Sequence, residues 1–155
     1  MRPKFRAWMK SLKWMCDVIN ISFDSKFVDI CQLGDTERHT EMSVEFDEID
    51  LMQSTGLFDR NGKEIFEGDI LEIQGIRMVV KFGNYRYIEI FKRKDHASGI
   101  VYDGLGFYVE CINAADPDRI SPFEPETLKE SAVICNVYEN AEMVREVAER
   151  SESVV

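Results

Sequence analysis

The 155-residue chain has little of what most catalytic and metal centres are built from. It holds two histidines, His39 and His96, both in polar stretches; a Cys–His or Ser–His pair would need one of them oriented and partly buried. There is no G-x-S-x-G elbow and no phosphate-cradling Gly-Lys-Ser/Thr loop. None of the four cysteines, Cys16, Cys31, Cys111 and Cys135, stands in a C-x-x-C pair. Zinc-ligand spacing is therefore missing, and the apolar neighbours of each thiol point to small buried hydrophobes in a reducing compartment. No apolar run approaches the ~20 residues of a spanning helix. The basic N-terminus is not followed by an apolar signal core. The expectation is a cytoplasmic protein without a membrane partner. Cations are also scarce: 19 Lys and Arg against 29 Asp and Glu leave a net charge of −10, so a general phosphate-binding surface is not expected.

What is present suits a folded, mainly β chain. Hydrophobic residues make up 45%, enough for a real core in one domain or a domain with an appended half-domain. Alternation over Arg2–Trp8 predicts a strand with Lys4 and Arg6 pointing away from Phe5 and Ala7. Lys13–Cys16 and Val18–Ile21 predict one or two more, and Phe27–Ile30 another. Thr36–Asp50, rich in Glu and Asp, reads as a loop ending in a short edge element and as the boundary between an N-terminal β-rich region (1–50) and a second domain (51–139). There, Asn61-Gly62 predicts a type I′ hairpin tip with positive φ at both residues. Gln74-Gly75, Gly83-Asn84 and Asp103–Gly106 read as further turns between short strands. Lys92–Ser98 reads as a basic loop and Asn113–Glu130 as a loop with three prolines. Short, evenly spaced strands joined by glycine turns argue for a small barrel or sandwich, with Ile70, Val80, Phe82, Phe107 and Val137 in its core. Ala132–Tyr138 reads as a strand broken only by Asn136. Asn140 caps a predicted short helix over Ala141–Arg150, with a tail to residue 155.

Several blocks, in order, carry a family resemblance. They are Lys4-Phe5-Arg6-Ala7-Trp8; the long central run from Met52-Gln53 through Thr55-Gly56-Leu57, Asp59, Asn61-Gly62-Lys63-Glu64-Ile65 and Glu67-Gly68-Asp69-Ile70; Val79–Gly83; Gly106-Phe107-Tyr108; and Val137-Tyr138-Glu139-Asn140. The chain resembles the YopX family of phage- and prophage-encoded proteins along nearly its whole length. Met9 and Ala141 depart from that pattern, at positions where the family commonly has an acid and a Pro. The resemblance implies a C-terminal SH3-type barrel and no established activity.

Four carboxylates, Asp59, Glu64, Glu67 and Asp69, crowd the central block, but turn chemistry accounts for them better than a metal or an acid–base pair. No catalytic, cofactor or metal residue is assigned, and an enzyme is not expected. Two surfaces remain. Val44, Phe46, Asp47, Glu48 and Ile49 offer apolar anchors in an acidic segment that could dock on a host or phage protein, or could simply face water. Lys4, Arg6, Lys92, Arg93 and Lys94, with Trp8 and Trp14 nearby in sequence, could contact nucleic acid, or form a solvated face above core tryptophans. The ranking puts a non-enzymatic protein–protein interaction or assembly module first and a nucleic-acid-binding accessory protein second, and leaves a homo-oligomer open.

Overall fold

The computed structural model describes residues 3–113, 120–122 and 124–142. They divide after Gly56 into two compact units, Met1–Gly56 and Leu57–Val155.

The first unit holds β1 (Phe5–Met9), β2 (Trp14–Ser22), β3 (Phe27–Gln32), β4 (Met42–Glu45), a 3-10 turn at Phe46–Glu48, and most of β5 (Ile49–Phe58). The strands pair antiparallel in the order β4-β3-β2-β1-β5. Residues 14–22 form one continuous strand, with a register shift against β3 between Val18 and Asn20. Such a bulge absorbs an extra residue without ending the strand. The acidic segment supplies β4 at the sheet edge, as its composition suggests. β5 runs straight through the sequence boundary at residue 50. Ala7, Met9, Cys16, Val28, Ile30, Val44 and Ile49 make the core, with Trp14 and Phe46 packed against it.

Arg6 points away from Ala7, as expected, but it does not reach solvent as a basic-patch residue would. Arg6 is only 6% exposed, and its Nε donates to Met52 Sδ at 3.4 Å. β1 is a central strand between β2 and β5, and it buries Arg6 as well as Ala7 on its other side. Simple alternation describes a strand with one wet face, and central strands need not have one.

In the second unit the Leu57–Phe58 end of β5 turns into β6 (Glu64–Phe66). Then come β7 (Asp69–Ile73), β8 (Ile76–Arg93), β9 (His96–Cys111), β10 (Ile120–Pro122), α1 (Pro125–Lys129) and β11 (Ala132–Asn136). The antiparallel sheet order is β10-β9-β8-β7-β11. Among the described residues the strands form two antiparallel sheets, neither of which closes on itself into the barrel that the resemblance implied. Ile65, Leu71, Val80, Val109 and Leu128 form one buried cluster, and Ile70, Val79 and Ile112 another. Ile70 and Val80 take their expected core places, while Phe107 and Val137 are half-buried against these clusters. Phe82 is not a core residue; it lies exposed beyond the last buried pair, Val80↔Val109. α1 begins with Pro125 at its first turn, where a missing N–H costs nothing. Of the expected C-terminal helix, residues 143–150 lie outside the described residues.

The turns explain the other departures. Gly62 has φ 78°, but Asn61 does not share a positive φ, so the Asn-Gly pair is not a type I′ tip. Gly62 N–H donates to the Asp59 carbonyl at 3.1 Å, and Asp59 N–H to the Lys63 carbonyl at 2.9 Å. That is a three-residue loop, a tight turn closed by a left-handed glycine. Changing Gly62 to Val should lower stability by about 1–2 kcal/mol, because a β-branched residue resists this φ. An unchanged urea midpoint would contradict this account of the turn. The two-residue tip with positive φ on both residues is Gln74-Gly75.

Gly83-Asn84 and Asp103–Gly106 are not turns. β8 and β9 pair without a break from Met78↔Cys111 to Arg93↔His96. Gly83 and Gly106 face each other across this ladder at φ 150° and 145°, values that favour glycine in both strands at one level. What reads locally as two turns is a paired glycine level inside one long hairpin. The chain reverses at Lys94-Asp95, within the predicted basic loop.

Candidate functional site

Two of the four carboxylates of the central block, Asp59 and Asp69, are held by backbone. Asp59 is buried; its Oδ1 accepts from the N–H groups of Asn61 (2.9 Å) and Lys63 (2.8 Å), and its Oδ2 from that of Val133 (2.9 Å). Burial, the largest single influence, pushes its pKa up. The three N–H donors and the Lys63 cation together outweigh that and hold it below the ordinary Asp value. Asp69, buried still more deeply, accepts from Phe66 N–H at 2.8 Å. Cys16, Cys31 and Cys111 are buried, Cys135 is half-buried, and all four are free thiols. Burial, with the neighbouring Cys31 and Asp17, pushes the Cys16 thiol up to about 11, away from nucleophilic use at neutral pH. Among the described residues no group of three or more His, Cys, Asp or Glu side chains is placed to hold a metal ion. No described helix is long and apolar enough to cross a membrane.

The outer half of the β8–β9 hairpin is a different kind of feature. Beyond Gly83↔Gly106 it continues for ten residue pairs, which at ~3.4 Å rise each makes an arm ~30 Å long. β7 pairs with β8 only as far as Val79, and β10 with β9 only from Tyr108 onward. Among the described residues the arm is therefore a two-stranded ribbon over its length, and none of its side chains is buried. Direct ladder partners share a face. One face carries Leu105, Ile88, Val101 and Ile90, exposed by 75%, 59%, 55% and 64%, with an ion pair between Arg86 Nε and Asp103 Oδ1 at 2.8 Å. The other carries tyrosines. Tyr87 stacks on Tyr102 at 5.2 Å, Tyr85 lies 5.1 Å from Tyr108, and Phe91 and Ile100 follow toward the tip. Tyr85 lies over Gly104, so closely that a Cβ there would meet its ring. Desolvation in the stack, with Glu89 beside both phenols, raises the pKa of Tyr87 and of Tyr102. The tip is basic: Lys92, Arg93 and Lys94 are all exposed.

A family model described as YopX protein matches residues 4–145. The chain belongs to the YopX family. The crystal structure of protein EF1440 from Enterococcus faecalis is similar at 26% identity, covering 93% of this chain and 99% of that one with a TM-score of 0.49. No curated protein matches.

In this YopX chain two of the blocks that carry the resemblance, the central run and Val137–Asn140, shape turns, while the others lie in β1, β8 and β9. Asp59 and Gly62 build the hairpin loop. Gly68, at φ 86°, brings its N–H to the Val80 carbonyl at 2.8 Å. Asn136 Oδ1 accepts from Tyr138 and Glu139 N–H, setting the Tyr-Glu-Asn turn.

The two candidate surfaces fare differently. Of the acidic one, Val44 and Ile49 are core residues and offer no contact, whereas Phe46 is half-buried and Asp47 and Glu48 are exposed. Phe46 meets exposed Phe23 edge-on at 6.2 Å, above a depression lined by Ser25, Lys26, Glu45, Phe46 and Asp47. Of the basic one, Lys4 is exposed and Arg6 is buried, both in the first unit, while Lys92–Lys94 belong to the second. Sequence reasoning missed the arm itself. A signal was present: apolar residues stand at both parities of Tyr87–Phe91 and Ile100–Tyr102, as in a strand covered on both sides.

Proposed function

We propose that this YopX-family protein is a non-enzymatic protein–protein interaction module, and that the β8–β9 arm is its contact element. One observation carries the reading: the ribbon sets apolar side chains on both of its faces, as a strand pair covered on both sides does, yet both faces meet solvent. Isolated two-stranded hairpins are marginal in water. Large exposed apolar patches mark interaction sites. The seven most apolar exposed side chains of the arm, Ile88, Ile90, Phe91, Ile100, Val101, Tyr102 and Leu105, present an area on the order of the ~800 Å² that each partner gives to a standard interface.

The test strips the aliphatic face by changing Ile88, Ile90 and Val101 to Ser. None is buried, so the triple variant should keep its thermal midpoint within a few degrees. Association of the intact protein with its partner, followed by sedimentation and by affinity capture from host extract, should fall at least tenfold. Equal association by wild type and triple variant would rule the arm out.

A basic tip on a β-ribbon also fits a nucleic-acid groove, which admits such a ribbon. On that reading, Lys92, Arg93 and Lys94 changed to Ala would abolish binding to labelled oligonucleotides. With the chain at −10, any affinity of the wild type is expected to be weak and to fade between about 50 and 200 mM salt. Tight, salt-resistant binding lost in that variant would favour nucleic acid over a protein partner.

A further inference from the structure

We infer that the partner of the arm is a second copy of this chain: the arm of one molecule docks on the acidic, aromatic patch of the first unit of another. The inference rests on the arm being a protein-binding element, as proposed above, and names its occupant.

Charge selects that occupant. Residues 84–105 carry four cations, Arg86, Lys92, Arg93 and Lys94, against Glu89, Asp95 and Asp103. The arm is thus slightly positive in a chain whose net charge is −10, and everything outside it is more acidic than the total. Three of its cations are consecutive at the tip, next to Ile90 and Phe91. The complementary pattern stands on the first unit. Phe23 is 76% exposed and meets the half-buried Phe46 edge-on. Around them Asp24, Glu45, Asp47 and Glu48 are all exposed, against the cations of Lys26 and of Lys10, whose Nζ reaches the Asp47 carbonyl at 3.2 Å. One element therefore pairs apolar side chains with positive charge, and the other pairs an exposed aromatic pair, Phe23 on Phe46, with negative charge. Apolar contact supplies the affinity, and opposite potentials supply register and encounter rate.

The two surfaces are different patches of one chain, so the contact is heterologous. Each molecule has one arm and one patch, and copies join head to tail into a ring or an open chain. Screening weakens the electrostatic part as salt rises.

Two charge-reversed proteins test the arrangement. In the first, Lys92, Arg93 and Lys94 are changed to Glu. In the second, Asp24 and Asp47 are changed to Lys; both are exposed. Light scattering and sedimentation velocity should find wild type above monomer mass, with the assembly shrinking as salt is added. Each variant alone should be monomeric with native circular dichroism. An equimolar mixture should regain assembly, because each arm then meets a patch of opposite sign. That rescue also shows that neither variant had merely misfolded.

Monomeric wild type at low salt, or a mixture that stays monomeric, overturns the inference. Assembly that persists in the arm variant overturns it too. A monomer that captures a different protein through its arm leaves the proposed function standing while this inference falls. A monomer that binds oligonucleotides through Lys92–Lys94 overturns both.

Discussion

Replacing Asp59 by Ala should lower the stability of the second unit by about 3 kcal/mol, near the upper end for a single substitution. Its carboxylate is the acceptor for three backbone N–H groups, from Asn61, Lys63 and Val133. Hydrogen bonds to a charged group contribute about 1.5–3 kcal/mol each and are not additive, and water can reach part of the loop. The Val133 bond matters most, because it ties the 59–63 loop to β11 across the chain. Asp59→Asn should cost roughly half as much: its oxygen can keep the loop donors, but its amide would face the Val133 N–H donor to donor. Urea unfolding checks both values. Acid gives an independent reading. The folded-state pKa of Asp59 lies below the ordinary Asp value, so the stabilisation is fully present above about pH 4–5 and is lost as pH falls through the folded pKa. The gap between wild type and Asp59→Ala should therefore narrow toward pH 2–3, by about the charge-dependent share of that stabilisation. A gap that stays constant with pH would mean that the carboxylate acts by packing alone.

Leu71→Ala should have an effect as large, about 3–5 kcal/mol. Leu71 is fully buried, among Ile65 of a three-residue strand, Val80 and Val109 at the base of the hairpin, and Leu128 of the single helical turn of α1. None of β6, α1 or the root of the arm has a core of its own, so a cavity here removes contacts from all of them. Leu71→Met, which nearly conserves volume, should cost less than about 1.5 kcal/mol. Thermal melts followed by near-ultraviolet circular dichroism would report both. A loss below about 1 kcal/mol for Leu71→Ala would mean that the site collapses onto the cavity and that the cluster is looser than its burial implies.

The arm and the patch differ from these core sites in what a mutation should do. The residues changed in their tests are exposed, so changing them leaves folding intact and alters only association. Within the central block the two kinds of role separate cleanly. Asp59, Gly62, Gly68 and Asp69 determine backbone course, and none of the four contributes a side chain to either surface proposed for contact.

By itself the sequence determined the β character of the chain, the strands β1 to β3 of the first unit, the edge position of the acidic segment, the burial of Ile70 and Val80, and the YopX family. Each of these follows from local composition, period or motif order, which neighbours in sequence carry. Tertiary pairing alone decided the rest. Arg6 is buried because β1 has a strand on each side. Asn61 keeps an ordinary φ because the Asp59 carboxylate organises the loop around Gly62. Gly83 and Gly106 look like turn residues in a window of five, yet they lie in strands because each finds the other across the ladder. The arm follows from that pairing. Two short hairpins become one long one when residues more than twenty apart in sequence are partners, and no local rule measures that distance.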